Sequence, residues 1–246
     1  VKDACEAGIN IIVSGAGLPT NLPEFTQNFK EVALVPIISS AKALKIICKR
    51  WLQRYDRLPD AVVLEGPLSG GHQGFTYEQC LDPEFSLFNL IPQVKAEIKE
   101  WGDFPLIAAG GIWDKNDIEK AISLGADGVQ MGTRFIGTHE CDADAGFKEV
   151  ILAAEEKDIE LIKSPVGYPA RGIRTNLINL VEKKMGPKIQ CISNCVSPCQ
   201  RGKGAKEVGY CIADRLFDSF SGKKETGLFF TGANGYKLKE LIKDQK

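Results

Sequence analysis

Hydrophobic positions fall into two kinds of run along this chain. The first kind is short, β-branched and closed by glycine or a polar turn. Ile9–Ser14 ends at Gly15-Ala16-Gly17, and Val32–Ser39, Ala61–Leu64, Pro105–Ala109 and Gly128–Met131 have the same character. Each reads as a strand buried on both faces of a parallel sheet. The second kind repeats every three to four residues. Over Ser40–Tyr55 it places Ala41, Leu44, Ile47, Cys48 and Trp51 on one helical face, with Ser39 or Ser40 as cap. Ile91–Trp101 is a further helix, and Asp114–Leu124 is another, stopped by Gly125.

Strict alternation of strand and helix predicts an α/β fold: a parallel sheet covered by crossover helices. Five strands fit either an open sheet or part of a (βα)8 barrel. Beyond Thr133 the pattern changes. Asp144–Lys157 reads as helix, Ser164–Asn179 as irregular, then comes a cysteine-rich stretch, a helix over Val208–Phe220 and a basic helical tail over Lys237–Lys246. The opening residues, Val1–Gly8, read as the last turns of a helix, so a preceding part of the protein is expected.

Composition narrows the function classes. With 246 residues, 43% hydrophobic and 26% charged, the chain has enough apolar material for a sizeable core. Disorder is excluded. The formal net charge of -1 supplies no field for nucleic acid or an anionic membrane, and the apolar runs are too short to span a bilayer. The eight cysteines are irregularly spaced and no secretory leader is legible, so a reduced, cytoplasmic compartment is expected.

Candidate chemistry collects at strand ends. Gly15-Ala16-Gly17, Gly66–His72, Gly110-Gly111 and Gly132-Thr133 each follow a predicted strand, which is where ligands bind in barrels and open α/β sheets. Glycine there lets a backbone approach a ligand, with N–H groups free to face a phosphate. The first loop, GAGLPT, lacks the third glycine of a dinucleotide fingerprint, and Pro19 stands where the helix would start. His72 is one of two histidines and lies among glycines, placed for acid–base work near neutral pH; His139 reads as ordinary surface. Cys191, Cys195, Cys199 and Cys211 form C-x3-C-x3-C-x11-C, a spacing unlike the usual C-x2-C metal pairs. They are weak metal candidates, with buried or free thiols the plainer alternative, and Pro198 argues against one continuous helix through the first three.

Three ordered segments, EGPLSGGHQG (Glu65–Gly74), PLIAAGGI (Pro105–Ile112) and GADGVQMGTRF (Gly125–Phe135), resemble the nitronate monooxygenase family. This family, formerly called 2-nitropropane dioxygenase, includes the flavin-dependent (FabK-type) enoyl-acyl-carrier-protein reductases. The resemblance runs clearly to about Asn176 and weakly beyond. It implies a TIM barrel with FMN at its C-terminal rim, of which this chain carries the fourth to eighth βα units. On this view residues 1–176 are partial barrel and 177–246 a mostly helical, cysteine-rich extension packed on it. The flavin phosphate would lie on Gly110, Gly111, Gly132 and Thr133. Glu65, Gly70, Gly71, Ala109 and Gln130 would line the cofactor, and His72 would be the catalytic residue.

The implied activity is FMN-dependent oxidation of alkyl nitronates with O2. The alternative is enoyl-acyl-carrier-protein reduction with NADH or NADPH. A non-catalytic flavin- or metal-binding redox module, using the four cysteines, is the alternative from another class. Partners would be a small-molecule substrate or an acyl-carrier-protein thioester, with a homodimer open to the fold. Two positions depart from the family: Ile37 stands where some members carry lysine, and Phe230–Asn234 stands where members often have Gly-Gln.

Overall fold

The β-branched runs become strands in the computed structural model, which describes residues 1–191, 195, 199 and 202–242. The strands are β1 (Ile11–Ser14), β2 (Ala33–Ile38), β3 (Val62–Glu65), β4 (Gly71–His72), β5 (Leu106–Ala109), β6 (Gly128–Gln130), β7 (Ile159–Lys163) and β8 (Pro169–Ile173). The helices are α1 (Lys2–Glu6), α2 (Ala41–Tyr55), α3 (Tyr77–Leu81), α4 (Leu87–Lys99), α5 (Lys115–Ser123), α6 (Thr133–Ile136), α7 (Ala145–Ala153), α8 (Asn176–Glu182), α9 (Lys203–Val208) and α10 (Ile212–Phe220). The chain divides into two units, Val1–Pro67 with Leu81–Gln130, and Leu68–Cys80 with Met131–Lys246.

The first unit is the α/β part expected from the sequence. Its five strands form one parallel sheet in the order β1-β2-β3-β5-β6. Helix α2 starts where Ser40 Oγ accepts a hydrogen bond from the Ala43 amide at 3.2 Å. It buries Ala43, Leu44, Ile47, Cys48 and Trp51, so the expected stripe holds except that Ala43 replaces Ala41. The Trp51 indole is fully buried and donates to the Pro19 carbonyl at 2.9 Å. Helix α4 buries Leu87, Leu90, Ile91, Val94 and Ile98, and begins four residues earlier than its periodicity suggested. Asp114 and Asp117 close a reciprocal capping box at the start of α5.

The second unit holds the corrections. Ser164–Asn179, expected to be irregular, contains β8 and the start of α8. Strand β8 is the centre of an antiparallel sheet in the order β4-β8-β7. Ala170, Arg171, Gly172 and Ile173 are all buried, so both faces are covered and no alternation marks the strand. The expected helix over Val208–Phe220 begins only at Ile212, because Val208 is the last residue of α9, Gly209 turns left-handed at φ +105° to close that helix, and Cys211 opens α10. The basic tail is not a helix over 237–242: a 3-10 turn, Ala233–Lys237, precedes a parallel bridge from Ile242 to Thr138. Pro198 and 243–246, the remainder of that expected helix, lie outside the described residues. This unit's core gathers Ile162, Ala170, Leu177, Ile178, Tyr210 and Leu228, and Tyr210 donates its hydroxyl proton to the Lys163 carbonyl at 2.8 Å.

Candidate active site

In the first unit, parallel pairing lines up three of the expected residues. Glu65 pairs with Ala109, and Ala109 pairs with Gln130, so they form one row at the C-terminal ends of β3, β5 and β6. The turn after this row is built on glycine. The Gly66 amide donates to the Ala109 carbonyl at 2.8 Å. A Cβ on Gly110 would stand 2.6 Å from the Gly66 carbonyl oxygen, so a side chain there is excluded by backbone. Gly110 and Gly111 also have φ of +88° and +95°, a region that side chains other than glycine resist. Burial pushes the Glu65 carboxyl up to about 7, because loss of water disfavours its charged form. Ile37, at the family's lysine position, packs with Val35, Val63 and Ala109.

In the second unit, β4 carries His72. The glycine-rich loop before it is tied to itself by Gln73, which is buried. The Gln73 amide group donates to the carbonyls of Ser69 at 2.9 Å and Gly71 at 3.0 Å, and its oxygen accepts from the Ser69 hydroxyl at 3.3 Å. His72 pairs with Ala170 on β8, and Phe230 bridges to Gly172 further along the same edge. The His72 ring meets Phe230 edge-on with centroids 5.6 Å apart. Its Nε2 lies 2.7 Å from the Ser164 hydroxyl. Burial lowers the His72 pKa, because loss of water disfavours the charged imidazolium.

The same unit brings three distant segments together around Gly70. A Cβ on Gly70 would lie 2.6 Å from the Thr231 backbone. The Ala233 amide donates to the Leu68 carbonyl at 3.0 Å, and the Gly232 amide donates to Thr133 Oγ1 at 2.9 Å. The Thr133 hydroxyl accepts from Gly232 and keeps its own proton to donate, while open space surrounds the Cβ position of Gly132. Open glycine backbone at Gly132 suits close approach by a phosphate group.

Cys195, Cys199 and Cys211 meet in an apolar cluster with Ala205, whereas Cys191 is exposed. Among the described residues no group of three or more His, Cys, Asp or Glu side chains is arranged to hold a metal ion. His139 is exposed, as expected. Sequence reasoning missed Gln73 and Ser164. The glutamine was hidden beside the more conspicuous histidine, and the serine stood at the head of a segment read as irregular.

Parallel βα units with glycine-rich strand ends and a half-buried histidine define an α/β ligand-binding protein. A family model described as nitronate monooxygenase matches residues 1–245, and the chain belongs to that family. It is 36% identical over 122 residues to a probable nitronate monooxygenase of Staphylococcus saprophyticus, covering 49% of this chain and 33% of that relative. It is 39% identical over 118 residues to one of Bacillus subtilis, covering 48% and 33%. Among solved structures, FabK from Thermotoga maritima superposes with a TM-score of 0.72 at 26% identity, covering 98% of this chain and 67% of that one. Nitroalkane oxidase from Streptomyces ansochromogenes gives 0.67 at 19% identity, covering 97% and 62%, which supports the fold alone. The matched stretch spans about a third of the curated relatives. No helix among the described residues is long and apolar enough to cross a membrane.

Proposed function

We propose that this chain is part of an FMN-dependent oxidoreductase that oxidises alkyl nitronates with O2. The observation that carries this reading is His72, half-buried at the end of a glycine-rich loop, in a chain of the nitronate monooxygenase family. FMN, when bound, supplies the electron transfer. In the first unit Glu65, Ala109, Gly110, Gly111 and Gln130 serve the cofactor. In the second, Gly70, Gly71, Gly132 and Thr133 do so. His72 binds the substrate's polar end and assists proton movement there.

The same reading takes the five parallel strands as the fourth to eighth of a closed barrel, with 1–176 as barrel and 177–246 as extension. Its support is the outer face of β1, where Ile11 and Val13 are 52% and 51% exposed on a strand that, among the described residues, pairs on one side only. Reduction of an enoyl-acyl-carrier-protein thioester with NADH or NADPH is the second reading, favoured by the likeness to FabK over nearly the whole chain.

The test begins with the visible spectrum before and after denaturation. Flavin bands with FMN released into solution are expected. His72→Ala should keep the FMN and lose at least about a hundredfold in turnover, the scale of a general acid–base contribution. Oxygen uptake with a nitronate and no nicotinamide supports the first reading. Nicotinamide oxidation with an enoyl thioester replaces it with the second. Protein that stays colourless with added FMN refutes the cofactor assignment for this chain.

A further inference from the structure

Ser164 lies 92 positions from His72 in sequence, yet its hydroxyl is 2.7 Å from Nε2 of the ring. Serine and ring are held by neighbouring parts of one sheet. His72 is on β4, Ser164 directly follows β7, and β8 pairs with both strands. Ser164 is 5% exposed, so its hydroxyl has no ready access to water and must find its partners in the protein.

The direction of the Ser164–His72 bond follows from counting donors and acceptors. A serine hydroxyl has one proton to give and two lone pairs to receive with. The Val166 amide already donates to Ser164 Oγ at 3.3 Å. An amide cannot take the hydroxyl proton, and the other hydrogen-bond partner of this oxygen among the described residues is His72 Nε2. If Nε2 carried the ring proton, the serine would receive two donors and its own buried proton would have no acceptor, a loss of about 1–3 kcal/mol. The favourable arrangement has Ser164 donating to Nε2.

We propose that Ser164 is a positioning residue that fixes His72 as the neutral tautomer with its proton on Nδ1. The ring then offers substrate a donor N–H, and its lone pair at Nε2 is already taken. His72 acts by gripping an electronegative oxygen, such as that of a nitro group or thioester carbonyl, and it assists proton movement as a donor from Nδ1 rather than by abstracting a proton at Nε2. Phe230, edge-on to the ring, limits its rotation. The tautomer assignment rests on this geometry alone, while its consequence for substrate rests on the flavin-oxidoreductase reading.

The chain's two histidines make the test clean. Long-range proton–nitrogen NMR of the 15N-labelled full chain reads both ring nitrogens, and His139→Gln assigns the signals without touching the site. A single Nδ1–H pattern for His72 is expected. Ser164→Ala should give a mixture of tautomers, and Ser164→Thr, which keeps the hydroxyl, should restore one. With active enzyme, Ser164→Ala should lower kcat/KM by roughly three- to tenfold, the scale of one hydrogen bond, with threonine recovering it. A wild-type ring protonated at Nε2 overturns the proposal, whatever the fate of the variants. So does an unmixed Nδ1–H pattern in folded Ser164→Ala. The Nδ1–H pattern in a protein that binds no flavin would uphold the positioning role and sink the oxidoreductase reading instead.

Discussion

At the scale of single residues, burial sets the chemistry. Glu65 and His72 both lie at strand ends, and loss of water shifts each toward its neutral form, raising the carboxyl and lowering the imidazole. For Glu65 the consequence for stability has a definite sign. Its folded pKa, about 7, lies above the ordinary value of 4.5, so the folded chain holds the proton more tightly than the unfolded chain. Stability is therefore intact below the unfolded value and falls as pH rises from there through about 7. Glu65→Gln should raise the melting temperature by a few degrees at about pH 8 and leave it unchanged at about pH 4, measured by circular dichroism on apoprotein. An equal gain at both pH values would place the effect in packing instead. Cys48, fully buried near Glu97, is pushed up to about 12 and stays an inert thiol.

At the scale of elements, the helices of the first unit are held by one face each. Trp51 anchors α2 through complete burial and its bond to Pro19, so it joins the helix to the loop after β1. Trp51→Ala removes the side chain and leaves the Pro19 carbonyl without its donor, and should cost about 3–5 kcal/mol in denaturant unfolding. A cost below about 1 kcal/mol would show that the site collapses around the gap. In the second unit the loop Ser69–Gln73 is an element in its own right, closed by the Gln73 amide. Gln73→Ala strips two buried carbonyls of their donor and should loosen His72, costing about 1–3 kcal/mol and broadening the His72 NMR signals. Sharp, unshifted signals would show that pairing to β8 suffices to hold the ring.

At the scale of the whole chain, the sheet of the first unit presents an apolar edge. Ile9, Ile11 and Val13 are 41%, 52% and 51% exposed on and beside β1, whose one paired neighbour among the described strands is β2. Unpaired apolar edges invite pairing with another chain. Replacing Ile11 and Val13 by lysine should reduce concentration-dependent self-association in sedimentation velocity, and unchanged association would locate the contact elsewhere. The βα alternation of residues 9–130 was legible in the sequence, because buried parallel strands and amphipathic helices each carry a local period. The glycine ends, Glu65 and His72 were legible too, because those residue types are informative wherever a strand stops. The antiparallel sheet of β4, β7 and β8 was not: two residues are too few to show a period, and β8 is buried on both faces. Nor was the approach of Ser164 to His72 or of Gly232 to Thr133, 99 positions apart. The sequence alone determined the elements and the chemical types at their ends. Which distant residues touch, and hence which nitrogen of His72 holds its proton, was decided by tertiary pairing, since hydrogen bonds between remote segments leave no local pattern to read.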